Sequence, residues 1–264
     1  MTQHRVSLET ACILHHRPFR DTSLIVDVLS EDHGRLVLVA RGARRPRSRQ
    51  RALLQPFRPL LVSWRKGGEM GTLTAVEAGG NPRALRGQAL MAGFYLNELL
   101  LRLLPREDPH PGICHIYDHA LSELEAGELA RPLRCFEKRL LDELGLGLPL
   151  SDRCVDGTPL KAEARYLFDP ERGAMPAAEN TDDKGSVSGH TLLALARERL
   201  DNERSLEESR RILSEALLRQ LGERPLRTGQ VMRALRQRGL VDPRAMGETE
   251  NTDRNQVSGK EDKK

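Results

Sequence analysis

Between Arg41 and Arg51 the chain carries six arginines, Arg41, Arg44, Arg45, Arg47, Arg49 and Arg51, and no acidic residue. Guanidiniums this close repel one another, and binding a polyanion relieves that repulsion. Arginine also brings a planar fork that fits phosphate and a flat face that can lie on a base. Gly42 breaks the extended pattern that precedes the run, and Pro46 and Ser48 argue against a helix through it. The sequence therefore predicts an exposed basic loop. Basic runs also occur as plain solvated loops and as localisation signals. Three features favour nucleic acid here: arginine rather than lysine, no interrupting acid, and a β-rich setting.

Other residues with chemical potential make weaker patterns. His110, Cys114, His115 and His119 lie close together, and His115 and His119 at i, i+4 share a helix face that suits a transition metal. No further ligand is well spaced, so surface or capping histidines are the simpler reading. Cys154 stands in Cys154-Val155-Asp156-Gly157, where a metal knuckle would want a second cysteine in place of Gly157. Glu207 and Glu208 fall in a charged helical stretch and read as a solvated face. The glycines around Gly67 and Gly71 lack the Lys-Ser/Thr of a phosphate-binding loop, and there is no HExxH or G-x-S-x-G. No catalytic constellation emerges, and neither a cofactor nor a metal is expected.

The elements that must position the basic loop are short strands. Alternation of apolar and polar residues predicts strands at 6–16, 22–29, from 35 to the loop, 59–65 and 71–78. Leu36, Leu38 and Ala40 face one way and Val37 and Val39 the other, so the loop leaves the end of a buried strand. Five short strands in about eighty residues fit a small closed barrel of the OB type, with an SH3-like barrel as the competing topology. The period then changes to that of helices. Helices are expected at 86–104, 112–125, 131–145, 189–200, 205–221 and 228–239, the fifth opened by a capping box of Ser205 and Glu208. Residues 150–184 lose periodicity apart from a strand-like piece at 164–168, and read as a small irregular insertion. The predicted class is α+β and multidomain: an N-terminal OB-fold at 1–80, helical parts at 81–149 and 188–243, an inserted module at 150–187, and a disordered tail at 244–264.

Charge divides the same way. The first 80 residues hold 13 basic and 7 acidic side chains; the remainder holds 29 and 31. A polyanion-binding domain joined to a near-neutral one with another task is the natural inference. Aromatic residues are only 3%, so a wide base-stacking platform is not expected; Phe19, Phe57 and Trp64 are the candidates near the loop. The four cysteines are widely separated, which fits free thiols in a reducing compartment. The N-terminus lacks a signal-peptide core, and no apolar run approaches the ~18 residues of a membrane helix. A cytoplasmic protein is expected.

Four stretches together resemble the bacterial recombination mediator family RecO, a family of DNA repair proteins: RPFRDTSLIVDVLSEDHGRLVLVARGARRPRSR from Arg17, LLQPFRPLLV from Leu53, YLNELLLRLLPRED from Tyr95, and LRCFEKRLLDELGLGLPLSDRCVDGTP from Leu133. The resemblance implies an OB-fold, a helical domain, and an inserted module that is a four-cysteine zinc finger in some members. This chain keeps Cys154 but not the other cysteines, so it resembles a zinc-free branch. The family is not enzymatic. It binds single- and double-stranded DNA, anneals complementary strands, and acts with RecR to load RecA onto DNA coated by single-strand DNA-binding protein (SSB). The expected DNA site is Arg35, at the head of the basic stretch, with Arg41, Arg44, Arg45, Arg47, Arg49 and Arg51. Arg134 matches a basic position expected to take the acidic C-terminal tail of SSB. Residence in the cytoplasm with the nucleoid follows. The competing reading is a nucleic-acid-processing enzyme or an RNA-binding OB module.

Overall fold

In the computed structural model, which describes residues 5–178, 185–222 and 224–237, β1 (Arg5–Phe19), β2 (Ser23–Ser30), β3 (Gly34–Ala40), β4 (Pro59–Arg65) and β5 (Gly71–Ala78) close into a barrel of order β1-β2-β3-β5-β4. All neighbours are antiparallel except β3 and β5, which meet in parallel at Leu38↔Gly71 and Val39↔Thr72. This is the OB topology. The β3–β5 closure leaves little room at Gly71: a Cβ there would stand 2.6 Å from the Leu38 side chain, which would have to shift. Inward residues Val26, Val28, Leu36, Leu38, Leu60, Val62 and Trp64 fill the interior. β1 runs three residues past its expected end at His16, because its far half keeps pairing with β2 as far as Phe19↔Ser23.

The helical region comprises α2 (Gly87–Leu103), α3 (Pro111–Glu125), α4 (Ala130–Glu143), α5 (Gly189–Ala196), α6 (Glu203–Leu221) and α7 (Arg227–Gln237). Before it, the basic loop ends in one helical turn, α1 (Gln50–Leu53), where the sequence predicted none. The expected bounds hold for the rest within a few residues, with two corrections. α5 stops at Ala196 rather than Leu200, since Glu198 takes a left-handed backbone (φ 56°). α6 starts two residues early, because Asn202 caps it by accepting from the Ser205 amide. Ser205 is not the cap, and Glu208 is not on a solvated face. Glu208 is buried and accepts from Ser188, Thr191, Arg165 and Arg204.

The insertion is more regular than predicted. β6 (Arg165–Asp169), β7 (Gly173–Pro176) and β8 (Val187–Ser188) form a sheet of order β7-β6-β8. Its Tyr166, Ala174 and Val187, with Cys154, join the same apolar core as α2–α6. That core also takes Leu14, Leu29 and Phe57 from the outer wall of the barrel. This explains why β1 and β2 carry apolar residues on both faces: one face fills the barrel and the other is covered by helices.

The covered wall is pinned by polar contacts. Asn97 donates to the Leu14 carbonyl at 2.8 Å and accepts from Tyr117. Gly34 lies against Asp108 so closely that a Cβ there would stand 2.1 Å from the Asp108 carbonyl oxygen. The first contact fixes β1 and the second the β2–β3 turn against the helical region, while at the opposite end of the barrel the described residues from Arg41 to Arg51 leave all six arginines exposed. The expected tail at 244–264 lies outside the described residues.

Candidate nucleic-acid interface

The end of the barrel opposite the β2–β3 turn is where β3 stops and the arginine run begins. Two buried residues tether the run: Ala43 and Leu54 both sit in the barrel core with no exposure. Between them the chain turns twice, with the Arg45 amide donating to the Gly42 carbonyl and the Ser48 amide to the Arg45 carbonyl. Gly42 supplies the left-handed backbone of the first turn (φ 69°). The result is an anchored arch whose six arginines, Arg41, Arg44, Arg45, Arg47, Arg49 and Arg51, are all exposed. Among the described residues, none of the six has an ion-pair partner, whereas arginines on the helical region commonly do. Charge left uncompensated on a fixed scaffold raises local anion concentration without any cost of breaking internal pairs.

A second segment joins this end. The β1–β2 turn lies beside the arch because Leu24 pairs with Ala40. The Arg44 amide donates to the Thr22 carbonyl at 2.8 Å, and the Arg44 guanidinium donates to the Arg20 carbonyl at 3.2 Å. Arg17 and Arg20, both exposed, thus extend the basic surface. Reading one arginine run at a time misses them. The hairpin register was the available signal, since it returns β2 to the barrel end at which β3 exits.

Arg35 does not belong to this surface. It stands at the start of β3, about 20 Å from Arg41 at the usual rise of a strand. Its guanidinium donates to Asp27 and to the Leu104 carbonyl, and its own carbonyl accepts from the Glu107 amide. Desolvation lowers its pKa, with Asp27 opposing. Arg35 pins the barrel to the end of α2. Two of the three aromatic candidates are equally removed. Trp64 is buried and meets His33 edge-on at 5.0 Å, and Phe57 is buried against Phe94. Only Phe19 lies at the basic end, half-buried, with the Arg20 guanidinium 5.2 Å above its ring.

Arg134 is also not where an exposed ligand-binding cation would be. It is buried in α4 and ion-paired to Glu137, which accepts from Tyr95 as well. Desolvation raises the Glu137 pKa against the pull of Arg134. The Arg134 Nε and Glu137 Oε2 atoms have no hydrogen-bond partner.

The histidine group does not converge. His110 faces Asp108, His115 faces Glu31 and His119 faces Glu123. Cys114 turns toward the barrel, lining an apolar cleft of about 330 Å³ with Cys12, Tyr117 and Leu121. Burial pushes its thiol up to about 12 and Cys12 higher still. Among the described residues no three His, Cys, Asp or Glu side chains are placed to hold a metal ion. Cys154 is buried in the shared core, and the turn after it is closed by the Cys154 amide donating to the Thr158 carbonyl. Among the described residues no helix is long and apolar enough to cross a membrane.

Comparison with known proteins finds the same two-part division. Residues 3–81 match the family model for the N-terminal part of recombination protein O, and residues 85–230 match that for its C-terminal part. The chain is similar to the DNA repair protein RecO of Coxiella burnetii strain RSA 493, 45% identical over 228 residues, covering 86% of this chain and 98% of that one. It is 44% identical over 232 residues to the protein of the same name from Ralstonia nicotianae, covering 87% and 85%. It is 43% identical over 239 residues to that of Azoarcus sp., covering 88% and 98%. Matches that run through barrel, insertion and helices alike, at this identity and nearly end to end, make the chain a member of the RecO family.

Proposed function

We propose that the chain is a non-catalytic DNA-binding and strand-annealing mediator of recombinational DNA repair. In this reading it acts with RecR to load RecA onto single-stranded DNA coated by SSB, in the cytoplasm at the nucleoid. The observation that carries the DNA part is the anchored arch of six exposed, unpaired arginines at one end of an OB barrel. Two complementary strands repel through their phosphates. An arginine surface that displaces condensed counterions lowers that repulsion, and base pairing then proceeds without bond-making by the protein. The relatives' name, DNA repair protein, agrees.

The helical region is the proposed seat of the partner proteins, with Arg134 as the cation for the SSB tail. Because Arg134 is already paired to Glu137, a tail carboxylate must share the guanidinium or displace Glu137 from it.

The test is annealing of SSB-coated complementary oligonucleotides, with and without RecR. The wild-type chain is expected to anneal and RecR to alter the rate. Replacing Arg44, Arg45, Arg47 and Arg49 together by Ala should abolish annealing in a folded protein. Undiminished annealing by that variant would overturn the assignment, and strand cleavage in the presence of Mg²⁺ would place the chain among nucleic-acid enzymes.

A further inference from the structure

Among the described residues, Phe19 is the one Phe, Tyr or Trp ring at the basic end of the barrel. It closes β1 opposite Ser23, and Arg20, the next residue, adopts a left-handed backbone (φ 50°) in the three-residue turn. A long side chain is disfavoured there, and glycine would be the unstrained choice. In this turn the Arg20 guanidinium lies over the Phe19 ring. The Arg20 carbonyl is held in turn by the Arg44 guanidinium from the arch. Ring, cation and phosphate-binding loop are therefore one connected unit.

We propose that Phe19 is a stacking position for an unpaired nucleobase and that it makes this end discriminate single strands from duplex. The inference rests on the reading of the arch as the DNA site. An arch of arginines alone touches backbone phosphates, which both forms of DNA offer. A ring among them adds a contact that only an unpaired base can make, because bases in a duplex are already stacked. An exposed guanidinium on a ring is a weak contact compared with a stacked base. The base displaces Arg20 from the ring face, and the released guanidinium turns to the flanking phosphate. The poverty of aromatics elsewhere on the basic surface makes the site one base wide, so sequence preference is not expected.

The experiment compares a fluorescent oligo-dT with a blunt duplex that has no unpaired base. Phe19→Ala and Phe19→Leu should each weaken oligo-dT binding about tenfold, as expected for the loss of one stacked base, and leave duplex affinity within about twofold. Phe19→Leu keeps most of the half-buried packing, so it reports even if the alanine variant unfolds. Phe19→Trp should show emission quenched by oligo-dT and not by duplex, against the wild-type chain with its single buried Trp64 as blank. Equal losses for the two DNAs, no loss in either variant, or an unquenched Trp would each overturn the stacking role. The fourfold arch variant separates the two levels. If it loses both DNAs while the Phe19 variants lose neither, the stacking inference alone fails; if it retains both, the reading of the arch fails.

Discussion

Arg134 and Glu137 form an ion pair one turn apart on α4, with 7% and 1% of their side chains exposed. Both are buried on α4, the helix that gives Leu133, Phe136 and Leu140 to the apolar core. Removing one partner of such a pair leaves the other charge buried without its direct counter-ion, and for Glu137 the Tyr95 hydroxyl and the more distant charge of Arg210 make up only part of the loss. Arg134→Ala should therefore cost about 3–5 kcal/mol of stability, quite apart from any effect on an SSB tail. Adding Glu137→Gln should recover part of that loss. Urea unfolding of both variants checks it, and a single variant as stable as wild type would show that the pair is solvated. SSB-tail binding is then best measured on the double variant, where a fall of about tenfold relative to Glu137→Gln alone would assign the carboxylate to Arg134.

Glu208 makes stability depend on acid. Burial pushes its pKa up, but hydrogen bonds from Thr191, Arg165 and Ser188 prevail and hold it down at about 2, against an ordinary 4.5. A depressed carboxylate contributes its stabilisation above the unfolded pKa and loses it as pH falls toward the folded one. The relevant window is thus pH 4.5 down to about 2. The contribution at neutral pH is about 2 kcal/mol, reduced from the full linkage value because one of its partners, Arg204, is 60% exposed and screened by solvent. Glu208→Gln should lower the unfolding midpoint at pH 7 and flatten its decline between pH 4.5 and 2. An unchanged acid profile would remove Glu208 as the hub that ties β6 and β8 to α5 and α6.

The barrel and the helices were legible because each leaves a period. Val26 and Val28 alternate with Ile25 and Asp27, and Leu96, Leu99, Leu100 and Leu103 repeat as one helix face. The six loop arginines stood out as uncompensated charge, and the structure leaves them exposed. What was not legible depends on contacts far apart in the chain. Glu208 reads as one charge among many in ERSLEESRR; only the approach of Ser188, Thr191 and Arg165 buries it. Arg35 reads as part of the basic segment, yet Asp27 and the Leu104 carbonyl claim it. Arg17 and Arg20 reached the site only through the register of β1 with β2, which also brings Phe19 there, alone among the three aromatic candidates.

The insertion should fold without zinc. Cys154 is buried in the shared core together with Tyr166, Ala174 and Val187, which come one each from the three strands of the β7-β6-β8 sheet. A buried thiol in this setting acts as a small apolar group. Cys154→Ala should cost about 1–2 kcal/mol through the small cavity it leaves, and a strong chelator should leave the wild-type melting temperature unmoved. Metal analysis of the purified chain should find far less than one zinc. Stoichiometric zinc that survives dialysis, with melting lowered by the chelator, would contradict this.

The arch and Arg35 should separate cleanly by their salt dependence. If four to six arch arginines meet phosphate, log K for a single strand falls against log[salt] with a slope of roughly −3 to −4. Replacing Arg44, Arg45, Arg47 and Arg49 by Ala removes up to four phosphate contacts, so the slope should shrink to about −1. The variant should stay folded, because Ala43 and Leu54 still anchor the loop and the four side chains bury nothing. Arg35→Ala should do the reverse. It leaves Asp27 without its guanidinium and the Leu104 carbonyl without a donor, which should cost about 1–3 kcal/mol of stability. The salt slope should hardly move, because a guanidinium turned toward Asp27 and α2 has no phosphate to lose. Titrating oligo-dT at several salt concentrations, alongside urea unfolding, decides both halves. A slope flattened by Arg35→Ala would return that residue to the DNA surface, and a slope untouched by the four loop substitutions would take the arch away from it.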